Sequence, residues 1–166
     1  MKNMEENTIS SKVVFQGEFL HVRKDKVTLP DGTYGTREWI KHPGAVCCVP
    51  ILPNKKIGLI RQYRYPLKIH MIELPAGKLG RGEDPESCAK RELEEEIGFK
   101  ANKISLLTNI HPAIGFADEI MWLYLAEDLV KTNTKLDDDE FLEVIPTKLE
   151  DALNMVWNGK ITDVKT

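Results

Sequence analysis

The sequence predicts an α/β protein in which a mixed β-sheet is covered by helices on both faces and preceded by a small antiparallel sheet. Three observations lead there. Residues 13–43 alternate short β-rich runs (VVFQ, FLHVRK, KVTL, YGTREWI) with turn residues, as consecutive antiparallel strands do. After Gly44 come two continuous apolar runs, AVCCVPIL and KIGLIRQY, of a length suited to buried strands. Two segments with helix-starting and helix-stopping residues then bracket further strand candidates, and the order strands, helix, strands, helix packs as a sheet between helices.

The first sheet turns at Pro30-Asp31-Gly32, the centre of a hairpin. Composition changes at His42-Pro43-Gly44, which divides the chain into an N-terminal antiparallel sheet, residues 1–43, and a main domain, residues 44–166. The turn Pro53-Asn54-Lys55 separates the two apolar runs. The first helix is expected from Asp84, a good N-cap with Pro85 at the first helical position, to Gly98, a good left-handed terminator. The second is expected from Thr147, with TKLE as a capping box closed by Glu150, through Ala152, Leu153, Val156 and Trp157 to Gly159. KISLLTNI, EIMWLYLAE and EFLEVIP supply the strands between them.

The length, 166 residues, suits one domain, or one with a small appendage. Its 23 basic and 26 acidic residues give a formal charge of -3, which gives no basis for wrapping a nucleic-acid backbone. Cys47, Cys48 and Cys88 are odd in number and lack metal-like spacing, and the adjacent pair does not readily bridge. A reducing, cytoplasmic setting is expected. MKNMEENTISSK has no apolar core of signal-peptide length, and no later run approaches the ~20 apolar residues of a membrane span. The chain is read as soluble and unexported, without a membrane partner.

The chemistry is carried by GKLGRGEDPESCAKRELEEEIGF, residues 77–99. On a helix Glu92, Glu95 and Glu96 stand at i, i+3 and i+4, so their carboxylates share one face beside an apolar stripe of Ala89, Leu93 and Ile97. Like charges that close cost an isolated helix roughly a few tenths of a kcal/mol per pair. The cluster is therefore either a solvated face, paired Lys90 with Glu94 and Arg91 with Glu95, or a ligand set. Oxygen-only ligands suit hard cations such as Mg²⁺ or Mn²⁺, and Mg²⁺ keeps positions open for water and phosphate. Such cations neutralise a phosphoanhydride and lower the pKa of a bound water.

The surrounding residues favour the ligand set. The segment resembles the Nudix box, whose pattern is Gly, five residues, Glu, seven residues, Arg-Glu, an aliphatic, any residue, Glu-Glu, any residue, Gly and a bulky apolar residue. Gly77, Glu83, Arg91, Glu92, Leu93, Glu95, Glu96, Gly98 and Phe99 meet every fixed position. The resemblance implies a Nudix fold and metal-dependent cleavage of a nucleoside diphosphate linked to another group. It makes Glu92 and Glu96 the principal metal ligands, Glu95 a further ligand or water-orienting group, and the Ala76 backbone carbonyl the completing ligand. Glu83 and Arg91 would pair to hold loop and helix in register, Gly77 would let the backbone approach the metal, and Gly98 would end the helix.

Outside the box, TREWIKHPGAV, IRQYRYP, MIELPAGKL, IGFADE, an acidic loop and a closing helix resemble the layout of ADP-ribose and nucleoside diphosphate sugar pyrophosphatases. That implies cleavage of a nucleotide sugar to a nucleoside monophosphate and a sugar phosphate, by a homodimer whose N-terminal sheets exchange. Arg64 matches an arginine that binds the substrate's phosphate or terminal ribose, and Arg37 one that reaches in from the partner; a guanidinium suits both places because it grips phosphate bidentately. Trp39 either stacks on a base or packs within the small sheet. Glu119 either contacts substrate or is a strand-start carboxylate. The catalytic base is sought in the acidic loop from Asp137 to Glu140, with Asp139 or Glu140 preferred and Glu95 the competitor.

There are two departures. Ile114 stands where many ADP-ribose hydrolases carry proline, with Pro112 two residues too early, so ADP-ribose specificity is less firmly implied than the class. The chain stops at KITDVKT, where relatives usually continue into a terminal helix. The alternatives are GDP-mannose hydrolysis and, from a different class, a non-catalytic ADP-ribose-binding module.

Overall fold

The computed structural model describes residues 3–136 and 138–166. β1 (Asn7–Gln16), β2 (His21–Thr28) and β3 (Tyr34–Lys41) form an antiparallel sheet in chain order. The β2–β3 hairpin keeps unbroken register from His21 opposite Lys41 to Thr28 opposite Tyr34. It closes at the expected turn, where the Gly32 N–H donates to Leu29 O at 2.9 Å and the Thr33 N–H to Asp31 Oδ1 at 3.0 Å. β1 begins at Asn7 rather than Val13, because pairing with β2 extends it through polar residues that carry no alternating apolar signal.

The main domain contains β4 (Ala45–Pro50), β5 (Ile57–Arg64), β6 (Ile69–Glu73), β7 (Ala76–Lys78), α1 (Pro85–Ile97), β8 (Phe99–Ile110), β9 (Met121–Lys131), β10 (Leu142–Thr147) and α2 (Leu149–Trp157). Its strands make two sheets rather than one, a mixed sheet in the order β7-β4-β9-β8 and an antiparallel sheet in the order β10-β5-β6. β4 and β9 run parallel, from Ala45 opposite Met121 to Pro50 opposite Ala126. The apolar pattern does not announce β6 and β7: β6 is half exposed, and three residues are too short to show a period.

β4 shows how one strand serves two cores. Val46 and Cys48 join Cys88, Ala89, Leu93 and Ile97 of α1, whereas Ala45 and Cys47 join Leu59, Met121 and Ala152 of α2, as the period-two alternation of a strand requires. Burying Leu93 and Ile97 contributes about 1.5–3 kcal/mol each. The N-terminal sheet is tied on at the end of β3, where the Ile40 N–H donates to Phe116 O at 2.8 Å and the His42 N–H to Asp118 Oδ1 at 2.7 Å.

The ends of α1 fall where the sequence places them. Asp84 Oδ2 accepts from the Ser87 N–H at 3.0 Å, Pro85 takes the first turn, and Gly98 adopts a left-handed φ of 70° while its N–H donates to Glu94 O. The capping box expected of α2 does not form. Thr147 ends β10, its hydroxyl donates back to Ile145 O at 2.9 Å, and Lys148 takes the N-cap without a side-chain bond. Ladder pairing with Ile57 holds Thr147 in the strand. Ala152 packs inward, while Leu153, Val156 and Trp157 remain exposed.

Candidate active site

α1 presents Glu92 and Glu95 to a cleft of about 690 Å³, and the edge residues Ala76 and Gly77 of β7 form part of its wall. Arg64 on β5, Glu119 before β9, and Asp139 and Glu140 of the acidic loop line the same cleft. Asp137 lies outside the described residues. Thus the box, the acidic loop and two of the substrate-contact candidates, far apart in sequence, converge on one space.

Arg91 organises the box. Its Nε and Nη2 grip Glu83 at 2.8 and 3.0 Å, and its Nη1 donates to Glu92 Oε1 at 2.7 Å and Glu95 Oε2 at 2.8 Å. Lys90 pairs with Glu86 at 2.6 Å rather than with Glu94. Glu83 also accepts from the Gly80 N–H at 2.7 Å, which pins the loop to the helix as the architectural reading of this pair requires.

The Arg91 guanidinium, then the Gly80 N–H, hold Glu83 down to about 2 from an ordinary 4.5. A carboxylate depressed on folding contributes stability that is complete above its unfolded value and lost as pH falls through its folded one. Glu83→Gln is therefore expected to cost about 1 kcal/mol near neutrality, after allowance for screening of the half-exposed partner. That lowers the Tm by about 2–4 °C. Thermal melts of both proteins should converge as pH is lowered from about 4.5 toward 2; a gap that persists at the acid end would contradict the pair's role.

Glu96 is 2% exposed. Its Oε2 accepts from the Ala76 N–H at 3.0 Å, and burial, followed by the charges of Glu140 and Glu92, pushes its pKa up to about 9. Burial likewise raises Glu92, with Glu95 and Glu140 adding to the effect. Gly77 leaves the space that Glu92 fills, since a Cβ there would lie 1.9 Å from Glu92 Cδ. Among the described residues no three His, Cys, Asp or Glu side chains converge as a closed ligand set, and Glu92 and Glu95 share the Arg91 Nη1 instead. A divalent cation fits this donor set nonetheless. The donors are hard oxygens, and buried carboxylates that oppose one another's ionisation are relieved by a positive charge between them.

Arg37 and Trp39 are not brought to this cleft. The Arg37 guanidinium pairs with Glu6, and Trp39 Nε1 donates to Asp25 Oδ2 at 2.8 Å, both within the N-terminal sheet. Conversely, His42, Gln62 and Lys165 line the cleft without having been singled out from the sequence. His42 Nδ1 accepts from the Gly44 N–H at 3.1 Å, leaving Nε2 to face Glu119 Oε1 at 3.8 Å. Neither His42 nor Gln62 belongs to a local pattern that marks it, although both stand in segments, KHPG and IRQYR, that carry the wider resemblance.

A box of carboxylates on a capped helix, set against a glycine strand in a two-sheet α/β fold, defines a class, and the chain belongs to the Nudix family: residues 41–163 match the NUDIX domain. More narrowly, residues 6–40 match the nucleoside diphosphate sugar hydrolase N-terminal domain. The chain is 44% identical to the ADP-ribose pyrophosphatase of Bacillus subtilis (strain 168), covering 100% of this chain and 91% of that protein. It is 42% identical to the methanol dehydrogenase activator of Bacillus methanolicus, covering 99% of this chain and 90% of that one. A crystal structure of an ADP compounds hydrolase superposes with a TM-score of 0.88 over 99% of this chain and 90% of that one, and at 22% identity this shows a common fold.

Proposed function

We propose that this chain hydrolyses the diphosphate bond of ADP-ribose or a related nucleoside diphosphate sugar, giving a nucleoside monophosphate and a sugar phosphate, with Mg²⁺ or Mn²⁺ as cofactor. The observation that carries the reading is the convergence of Glu92 and Glu95 with Arg64, Glu119, Asp139 and Glu140 on a single cleft. The full-length likeness to an ADP-ribose pyrophosphatase supports it. GDP-mannose is the second reading, favoured by 33% identity to the GDP-mannose pyrophosphatase of Yersinia pestis (strain Pestoides F), covering 70% of this chain and 64% of that one. A non-catalytic binding module is disfavoured because every box carboxylate is retained.

A divalent cation, when bound, neutralises the diphosphate and lowers the pKa of a water. Glu92 and Glu96 would hold it, with the Ala76 carbonyl completing the set and Glu95 as a further ligand or water-orienting group. Asp139 or Glu140 would take the water's proton, with Glu95 the competing base. The proximity of Glu140 to the box, felt as its effect on Glu92 and Glu96, supports the loop. Arg64 would grip phosphate, and Glu119 would accept a hydrogen bond from a sugar hydroxyl.

Residues 1–43 would form a dimerisation sheet and 44–166 the hydrolase domain. Every residue of β1 is exposed, Ile9, Val13, Val14 and Phe15 among them, and a strand bare on both faces calls for a second surface. A homodimer that carries Arg37 and Trp39 to the partner's cleft supplies one; sedimentation at micromolar concentration tests it, and a monomer would refute it. No helix among the described residues is long and apolar enough to cross a membrane. The three free, buried thiols fit a reducing, cytoplasmic setting.

Steady-state kcat/KM values for ADP-ribose, ADP-glucose, UDP-glucose and GDP-mannose with Mg²⁺ test the substrate. ADP-ribose is expected within about tenfold of the best, since Ile114 in place of proline loosens one loop by about 1 kcal/mol. A preference for GDP-mannose far beyond tenfold would install the second reading.

A further inference from the structure

Lys165 stands two residues past Asp163, beyond the last helix and outside every segment that marks the active site, yet it lines the cleft. Its side chain is 9% exposed, and its ammonium meets Glu73 Oε2 at 2.6 Å and Asp163 Oδ2 at 2.9 Å. Glu73, at the end of β6, receives Arg64 Nε and Nη2 as well, each at 2.6 Å. Glu73 is 2% exposed and does not line the cleft. One buried carboxylate therefore anchors two cations that do.

The segment after α2 is held where this needs it. Thr166 Oγ1 accepts from the Leu74 N–H at 2.9 Å and donates to Asp163 Oδ2 at 2.6 Å, which docks residues 163–166 beside Glu73. Burial works against the Lys165 charge, but hydrogen bonding to Glu73 and the charge of Asp163 more than offset it, so the ammonium is present at neutral pH. An ammonium has three N–H donors and a guanidinium five. Among the described residues Glu73 takes two donors of Arg64, and Glu73 and Asp163 take two of Lys165, so the donor capacity of both cations exceeds these contacts. The α1 wall of that cleft carries Glu92 and Glu95, and the loop wall Asp139 and Glu140. A diphosphate entering among those carboxylates meets cations that line the same cleft: Arg91 is taken up by Glu83, Glu92 and Glu95, whereas Arg64 and Lys165 share the buried Glu73.

Resting on the hydrolase reading above, we propose that Lys165 and Arg64, aligned by their shared partner Glu73, form a two-cation clamp on the diphosphate oxygens, with Lys165 a substrate-positioning residue. Glu73 acts through both cations and touches no substrate. The clamp steadies the diphosphate with charge-assisted donors directed at anionic oxygen.

The test uses the full chain with Lys165→Gln, which keeps a donor toward Glu73 but removes the charge, and Lys165→Arg, which keeps the charge. Inorganic pyrophosphate is titrated calorimetrically without added metal, and KM and kcat for ADP-ribose are measured with Mg²⁺. In Lys165→Gln the pyrophosphate affinity should fall about tenfold or more and KM rise in parallel, the change expected for one lost contact to a charged group. Its kcat should move far less, and Lys165→Arg should recover most of the loss. A merely structural lysine would lower the melting temperature and leave pyrophosphate affinity within about twofold, and that result overturns the clamp. Should Lys165→Gln not fold, the ¹H–¹⁵N signal of the wild-type Lys165 ammonium decides: a shift on adding pyrophosphate supports the clamp, and none overturns it. A wild type that turns over ADP-ribose while Lys165→Gln matches it throughout sinks the clamp alone. A wild type that binds pyrophosphate through Lys165 but cleaves no nucleotide sugar sinks the hydrolase reading and leaves the clamp standing.

Discussion

Replacing Glu92 or Glu96 by Gln is expected to lower kcat by about three orders of magnitude, equivalent to about 4 kcal/mol of transition-state stabilisation, while the protein still unfolds cooperatively near the wild-type temperature. A neutral amide is a poor ligand for a hard cation. The fold should tolerate it, since Gln is close to Glu in shape and its carbonyl oxygen still accepts the Ala76 N–H that now meets Glu96 Oε2 at 3.0 Å. At position 96 the exchange also removes a carboxyl whose ionisation burial already opposes. Turnover with Mg²⁺ and thermal melting, measured on both variants, check this. A near-normal rate in either would remove that residue from the ligand set.

Gly77→Ala should separate activity from stability in the same way by a different route. The added methyl would lie 1.9 Å from both Cδ and Oε1 of Glu92, closer than any contact can persist. What must move is the carboxyl end of a flexible side chain, and Gly77 is not among the glycines with positive φ, so the backbone need not follow. The Tm should change by no more than about 2–4 °C, the shift expected for ~1 kcal/mol in a chain of this size. Because a displacement of ~1 Å at a reacting centre can cost a hundredfold, kcat/KM should fall about a hundredfold or more. Wild-type kinetics would show that Glu92 does not need the position it holds against Gly77.

The features legible in the sequence were those set by neighbours a few residues apart. Asp84, Pro85 and Gly98 define α1 because caps are local, and Glu92, Glu95 and Glu96 share a face because helical spacing requires it. α2 starts at Leu149 with Lys148 as its N-cap, later than TKLE suggests, because a ladder partner on β5 holds Thr147 in strand, and nothing in TKLE reveals that partner. The single expected sheet divides into two, since adjacency of β4 to β9 and of β5 to β10 is a choice between long-range pairings. Glu73 and Lys165 meet across 92 positions, a contact that only the folded chain displays. Arg37 and Trp39 were legible as substrate candidates only through resemblance, and their own chain engages them with Glu6 and Asp25.

The central claim is that the acidic cleft cleaves a phosphoanhydride with the help of a divalent cation. Incubating the full chain with ADP-ribose, with and without added Mg²⁺ in chelator-treated buffer, and quantifying both products tests it most directly. The account predicts AMP and ribose 5-phosphate in equal amounts, formed catalytically with the cation and nearly absent without it. Failure to release AMP from ADP-ribose or from any nucleoside diphosphate sugar tried with Mg²⁺ or Mn²⁺, or equal release in chelated buffer, would contradict it.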